Sequence, residues 1–113
     1  MVKKEYVPER GDVVWLNFNP QSGHEQKGKR PAVVISPGEY NEKTGLGIFC
    51  PITSKIKDYP FEVNIDNKKI SGVVLSDQIK SLDWKTRKIE FIVKISPEKI
   101  EEIVDKIGVL LFG

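Results

Sequence analysis

Between His24 and Arg30 the chain places an imidazole, a carboxylate (Glu25), two ammonium groups (Lys27 and Lys29) and a guanidinium within seven positions. Cutting an RNA phosphodiester without a metal needs three services. One group must accept the 2′-OH proton, one must hold charge on the pentavalent phosphorus, and one must protonate the departing 5′ oxygen. The segment Ser22–Pro31 offers a candidate for each. Glu25 can act as base if its surroundings raise its pKa, Arg30 presents a planar fork matched to phosphate oxygens, and His24 titrates near neutrality. A simpler reading stands beside this one: Glu25 and Arg30 form a surface ion pair or nothing, and His24 is a bystander.

The elements that must hold these residues read as mainly β. Six apolar segments separated by Gly, Pro, Asn or Asp have the spacing of a small all-β barrel: Val13–Phe18, Ala32–Ser36, Gly47–Thr53, Phe61–Ile65, Gly72–Leu75 and Lys88–Ile95. Ser22–Pro31 joins the first two and is longer than the two to five residues that a hairpin usually takes, and long loops on rigid scaffolds often carry function. Pro31 restricts the residue before it, so Arg30 is expected extended at the strand entrance. Ala32–Ser36 is too apolar to be half exposed and is expected to be central. Pro51 argues for an edge or a bulge in the third strand. Asp77–Trp84 is ambiguous between strand and irregular structure.

Two helices are expected. A short connecting helix over Glu39–Lys43 is stopped by Thr44-Gly45. At the end of the chain, Ser96 suits an N-cap, Pro97 the first helical position and Glu98 the positive end of the dipole. Ile100, Ile103, Val104 and Ile107 then repeat at helical spacing, with Gly108 as C-cap. This amphipathic helix covers one end of the barrel. Val109–Phe112 either tuck beneath it or form an apolar contact for a second subunit.

Composition excludes several chemistries. The chain has 113 residues, 18 Lys plus Arg against 16 Asp plus Glu, one His and one Cys. One Cys closes no intramolecular disulfide, and with one His it supplies no N/S-type zinc site, CxxC couple or haem attachment. No cofactor or metal is expected. Cys50, among apolar neighbours, reads as a small buried core residue. Met1–Tyr6 has basic residues without an apolar stretch behind them, and no apolar run approaches the ~18 residues of a membrane span, so a cytoplasmic protein with no membrane contact is expected. The charge is uneven: Ser96–Gly113 carries four carboxylates against two lysines, so the basic excess lies in the first 95 residues. Lys27, Lys29 and Arg30 cluster in one loop, and Lys80, Lys85, Arg87, Lys88 and Lys94 outnumber Asp83 and Glu90. Such clusters attract a polyanion or form an ordinary solvated surface.

Seven collinear pieces resemble the MazF/PemK/Kid toxins of toxin–antitoxin modules. They are Arg10–Trp15; the loop and strand from Gly23 to Pro37; Tyr40–Leu46; Pro51–Ser54; Tyr59–Val63; Gly72–Trp84; and the closing amphipathic helix. The resemblance implies one toxin domain over residues 1–113. Its fold is an SH3-like barrel of five to seven strands with a short connecting helix and a C-terminal amphipathic helix, working as a homodimer. The implied activity is metal-independent, sequence-specific cleavage of single-stranded RNA, mainly mRNA. The 2′-OH attacks the adjacent phosphate and leaves 2′,3′-cyclic phosphate and 5′-OH ends, which inhibits translation and growth. By the same resemblance Arg30 and Thr53 are the catalytic Arg and Thr, Glu25 is a catalytic or substrate-positioning carboxylate, and a cognate MazE-like antitoxin with an acidic segment displaces RNA.

Physical chemistry suits those roles. Arg30, a poor proton acceptor, clamps phosphate and stabilises transition-state charge, with proton delivery to the 5′ oxygen also open to it. The Thr53 hydroxyl donates to a nonbridging oxygen, and Glu25 is the candidate base. Asn17, Asn19, His24, Gln26, Ser54, Gln78 and Lys80 are candidate RNA contacts, while Lys27, Lys29 and Lys80 track phosphates. Gln78 and Lys80 equally suit a satisfied strand end and a solvated lysine. Two rivals keep the barrel: a CcdB-type toxin that poisons gyrase, and a non-catalytic SH3-like binding module. The first has no use for the Glu25, Arg30 and Thr53 set.

Overall fold

The computed structural model describes residues 5–18 and 28–113. Its elements are β1 (Asp12–Asn17), β2 (Lys29–Val34), α1 (Gly38–Thr44), β3 (Leu46–Thr53), β4 (Glu62–Asp66), β5 (Ser71–Leu75), β6 (Lys80–Asp83), β7 (Glu90–Lys94) and α2 (Pro97–Phe112). The strands pair antiparallel in the order β4-β5-β3-β2-β1-β7, with β6 also on β3. The sheet curls into a half-barrel. β2 is central, as its unbroken apolar run requires, and the ambiguous segment supplies β6.

Because side chains alternate along a strand, register divides the sheet into two faces. One face carries Val13, Val33, Cys50, Ile52, Val63, Ile65 and Val74 and is closed by Ile103 and Ile107 of α2. The other carries Val14, Leu16, Ala32, Val34 and Phe49 and is covered by Trp84 with Tyr6, Val7 and Ile89. The buried Asn41 holds α1 in place. Its amide donates to Pro8 O at 2.7 Å, and its own carbonyl accepts from Trp84 Nε1 at 3.1 Å.

Three expectations about the elements change. β3 is no edge, because β2 flanks one side while β6 and then β5 flank the other. Pro51 sits where the neighbour changes, after the Phe49–Lys80 pair and before Ile52–Val74. A missing N–H is tolerated at such a gap. Gly108 is not a C-cap: α2 runs on to Phe112, and the N–H of Gly113 donates to Val109 O at 3.0 Å. A helical glycine costs only about 1 kcal/mol, which a further turn of hydrogen-bonded helix formers offsets. Val109–Phe112 are therefore not tucked beneath the barrel but 48 to 89% exposed. The start of α2 follows the sequence, with Ser96 Oγ accepting from Lys99 N. No helix among the described residues is long and apolar enough to cross a membrane.

Candidate active site

Arg30 enters the site from β2 and Thr53 from β3. Their ladder pairs Ala32 with Pro51, Val33 with Cys50 and Val34 with Phe49. Continuing that register by two residues puts Arg30 opposite Thr53, and directly opposed residues in an antiparallel pair project from one face. That face is the one bearing Ala32, Val34 and Phe49, so Arg30 and Thr53 extend an apolar core to its exposed rim. Among the described residues no carboxylate pairs with the exposed Arg30. Thr53 Oγ1 accepts from Lys55 N at 3.1 Å, so one of its lone pairs is engaged while its O–H remains available to donate.

Lys80 joins the same face from β6, opposite Phe49. Its ammonium lies 5.7 Å from the centroid of the Phe18 ring, a cation–π contact that sets it beside the departure point of the loop after β1. Lys80 is exposed at the first position of β6, so a solvated lysine and an RNA contact both remain compatible with its place. The backbone N–H of Gln78 donates to Leu75 O at 3.1 Å in the turn before β6, and its side chain is exposed. Ser54 is exposed just beyond Thr53.

Two candidates are placed away from this face. Lys29 alternates with Arg30 and points to the other side, where its ammonium meets Glu90 at 2.8 Å. Its charge is engaged across β1 in a partly exposed ion pair. Asn17 is buried opposite Lys29, and its backbone is clamped at both ends: its N–H donates to Arg87 O at 2.9 Å and its carbonyl accepts from Arg87 Nη1 at 3.1 Å. These backbone bonds anchor the end of β1, and the side chain is 6% exposed. Asn19, His24, Glu25, Gln26 and Lys27 lie outside the described residues.

Three residues that the sequence reading did not single out shape the site. Phe18 carries the Lys80 contact, and its placement at the loop entrance was the available signal. Gly72 on β5 has φ +144°, and a Cβ there would lie 2.4 Å from the carbonyl oxygen of Thr53. Only glycine lets β5 press this closely on the strand end that aims Thr53. Asp77 accepts from the Tyr59 hydroxyl at 2.7 Å, and that hydrogen bond pushes the phenol up to about 12. The buried Cys50 thiol is also pushed up to about 12, first by desolvation and then by the charge of Asp77, so it is an inert core group.

An arginine and a threonine hydroxyl on one exposed sheet face, with a lysine beside them, can hold a phosphate and stabilise charge developing on it. Comparison with known proteins points the same way. The family model of the PemK-like, MazF-like toxin of type II toxin–antitoxin systems matches residues 9–111. The chain is 45% identical over 106 residues to the endoribonuclease toxin MazF of Escherichia coli K12, covering 94% of this chain and 96% of that one. The crystal structure of MazF from Deinococcus radiodurans superposes with a TM-score of 0.85 at 50% identity, covering 95% of this chain and 98% of the other. A MazE–MazF complex from the same organism gives 0.85 at 44% identity, with coverage of 96% and 98%. Fold and near full-length similarity agree, and the chain belongs to the PemK-like, MazF-like family of toxins from type II toxin–antitoxin systems.

Proposed function

We propose that this endoribonuclease toxin, acting as one domain over residues 1–113, cuts single-stranded RNA, chiefly mRNA, at a short recognition sequence without a metal or cofactor. The observation that supports this reading is the β2–β3 register, Ala32 opposite Pro51, which when continued by two residues sets Arg30 opposite Thr53. Glu25 takes the proton from the 2′-OH, and the 2′ oxygen attacks phosphorus. Arg30 and the Thr53 hydroxyl stabilise the charge that builds on the nonbridging oxygens. The P–O5′ bond then breaks, Arg30 donates to the departing oxygen, and the products are a 2′,3′-cyclic phosphate and a 5′-OH end. His24, Gln26, Asn19, Lys27, Ser54, Gln78 and Lys80 contact the RNA, and cleavage of mRNA stops translation and growth.

A cognate MazE-like antitoxin neutralises the toxin by laying an acidic segment over the face of Arg30 and Lys80, in competition with RNA. The relative crystallised as a MazE–MazF complex supports this assignment. The toxin works as a homodimer in the cytoplasm. The deciding experiment incubates purified, antitoxin-free protein with single-stranded RNA in excess EDTA and maps the ends. Cleavage to cyclic phosphate and 5′-OH ends is expected, and intact RNA with folded protein overturns the reading. Arg30→Ala, on an exposed side chain, is expected to abolish cleavage while preserving the fold.

A further inference from the structure

A cleft of about 530 Å³ adjoins the end of β3, lined by Ser54, Ile56, Asn64, Ile65, Asp66, Ser71 and Gly72. Register explains its construction. Thr53 pairs with Val73 and Val73 with Asn64, so the three lie in one row across β3, β5 and β4 and project from one face. The Ser71–Asp66 pair forms the next row on that face. Gly72, between the two rows, pairs with Ile65 and belongs to the opposite face, and its lack of a Cβ lets β5 pass close to the Thr53 carbonyl. Thr53 and Asn64 are two inter-strand spacings apart, about 10 Å.

The chemistry of the cleft is graded. Arg30 and Lys80 lie toward one end of this face and suit a phosphate, whereas the Asp66 carboxylate at the far end repels one. Among the described residues the Ser54, Asn64, Asp66 and Ser71 side chains have no protein hydrogen-bond partner. Ile56 is 55% exposed and offers an apolar wall. A carboxylate accepts only, while an amide both donates and accepts. That set fits the edge of an unpaired base that presents N–H donors, lying against Ile56. Guanine fits best, because its N1–H and N2–H₂ stand side by side before one carboxylate.

We propose that this cleft is the subsite for a base flanking the cleaved phosphate, with Asp66 and Asn64 as specificity-determining residues that select guanine. The proposal rests on the endoribonuclease reading above and deepens it. It is tested by end mapping on a random single-stranded RNA pool with the wild-type protein, Asp66→Asn and Asn64→Ala, each checked for wild-type thermal unfolding. The wild type is expected to prefer guanine at one position beside the cut. Both variants are expected to lose about tenfold of that preference, read within each variant as the ratio of cuts beside guanine to cuts beside the other bases. An unchanged preference in both variants, or a wild type indifferent to the flanking bases, overturns the subsite and leaves the nuclease reading standing. No cleavage by the wild type overturns both.

Discussion

At the scale of single residues, the site separates groups that face a substrate from groups that serve the fold. Thr53 offers its hydroxyl proton because Lys55 N already occupies a lone pair on Oγ1. Thr53→Val keeps the shape and removes the donor, so kcat for RNA cleavage is expected to fall about 10² to 10³-fold, the usual loss for one oxyanion donor. Little change in chemical denaturation should accompany it, since the residue sits at a partly exposed rim. Cys50 is the opposite case. Burial raises its thiol from the ordinary value of 9.0 to about 12. In that window the unfolded chain releases the proton and the folded chain keeps it. The stability present below about pH 9 is therefore lost as pH rises toward 12. Urea unfolding of Cys50→Ala at several pH values should show a flatter decline than wild type across this range, and the native thiol should resist a disulfide reagent at pH 8 until the protein is unfolded.

At the scale of elements, two glycines have contrary meanings. Gly72 is required by the close passage of β5 over Thr53, where both its positive φ and a Cβ contact of 2.4 Å forbid a side chain. Gly108 has no such demand: it lies inside α2, and a Cβ built on it meets nothing within 4 Å. Gly108→Ala is expected to stabilise the protein by about 0.5 to 1 kcal/mol, read as an increased denaturation midpoint at unchanged slope. A loss of stability would show that α2 does not continue through this position. The same helix illustrates how far local signals reach. Ser96, Pro97 and the apolar repeat were legible because caps and periodicity are local. The stop at Gly108 was misread because a glycine ends a helix only if the residues beyond it prefer another conformation.

At the scale of the whole molecule, charge and apolar surface are segregated. Arg30 and Lys80 share the open end of one face, while α2 carries most of its acidic residues on its exposed side. Its last turn leaves Val109, Leu110, Leu111 and Phe112 exposed, the last by 89%. Exposed apolar side chains at the end of a helix suit an isologous contact with a second copy. Leu111→Ser with Phe112→Ser is expected to shift a dimer toward monomer in sedimentation velocity at micromolar concentration, with the monomer's fold intact by circular dichroism. A dimer unaffected by the pair would place the interface elsewhere.

By itself, the sequence determined the strand and helix content, the central position of β2, the burial of Cys50 and the candidacy of Arg30 and Thr53, the last through resemblance to the toxin family. These depend on local propensity, periodicity and motif order, which one chain displays directly. Only the tertiary structure decided which candidates meet. Lys29 and Arg30 are neighbours in sequence, yet strand alternation sends one to Glu90, 61 residues away, and the other to the rim opposite Thr53. Asn17 is a candidate RNA contact by residue type, and only the fold shows it buried at the end of β1, with its backbone carbonyl held by Arg87, 70 residues on. The cleft bounded by Asn64, Asp66 and Ser71 had no sequence signal at all. Its residues come together only because β4, β5 and the end of β3 pair in one register, and register is set by long-range packing of the buried face.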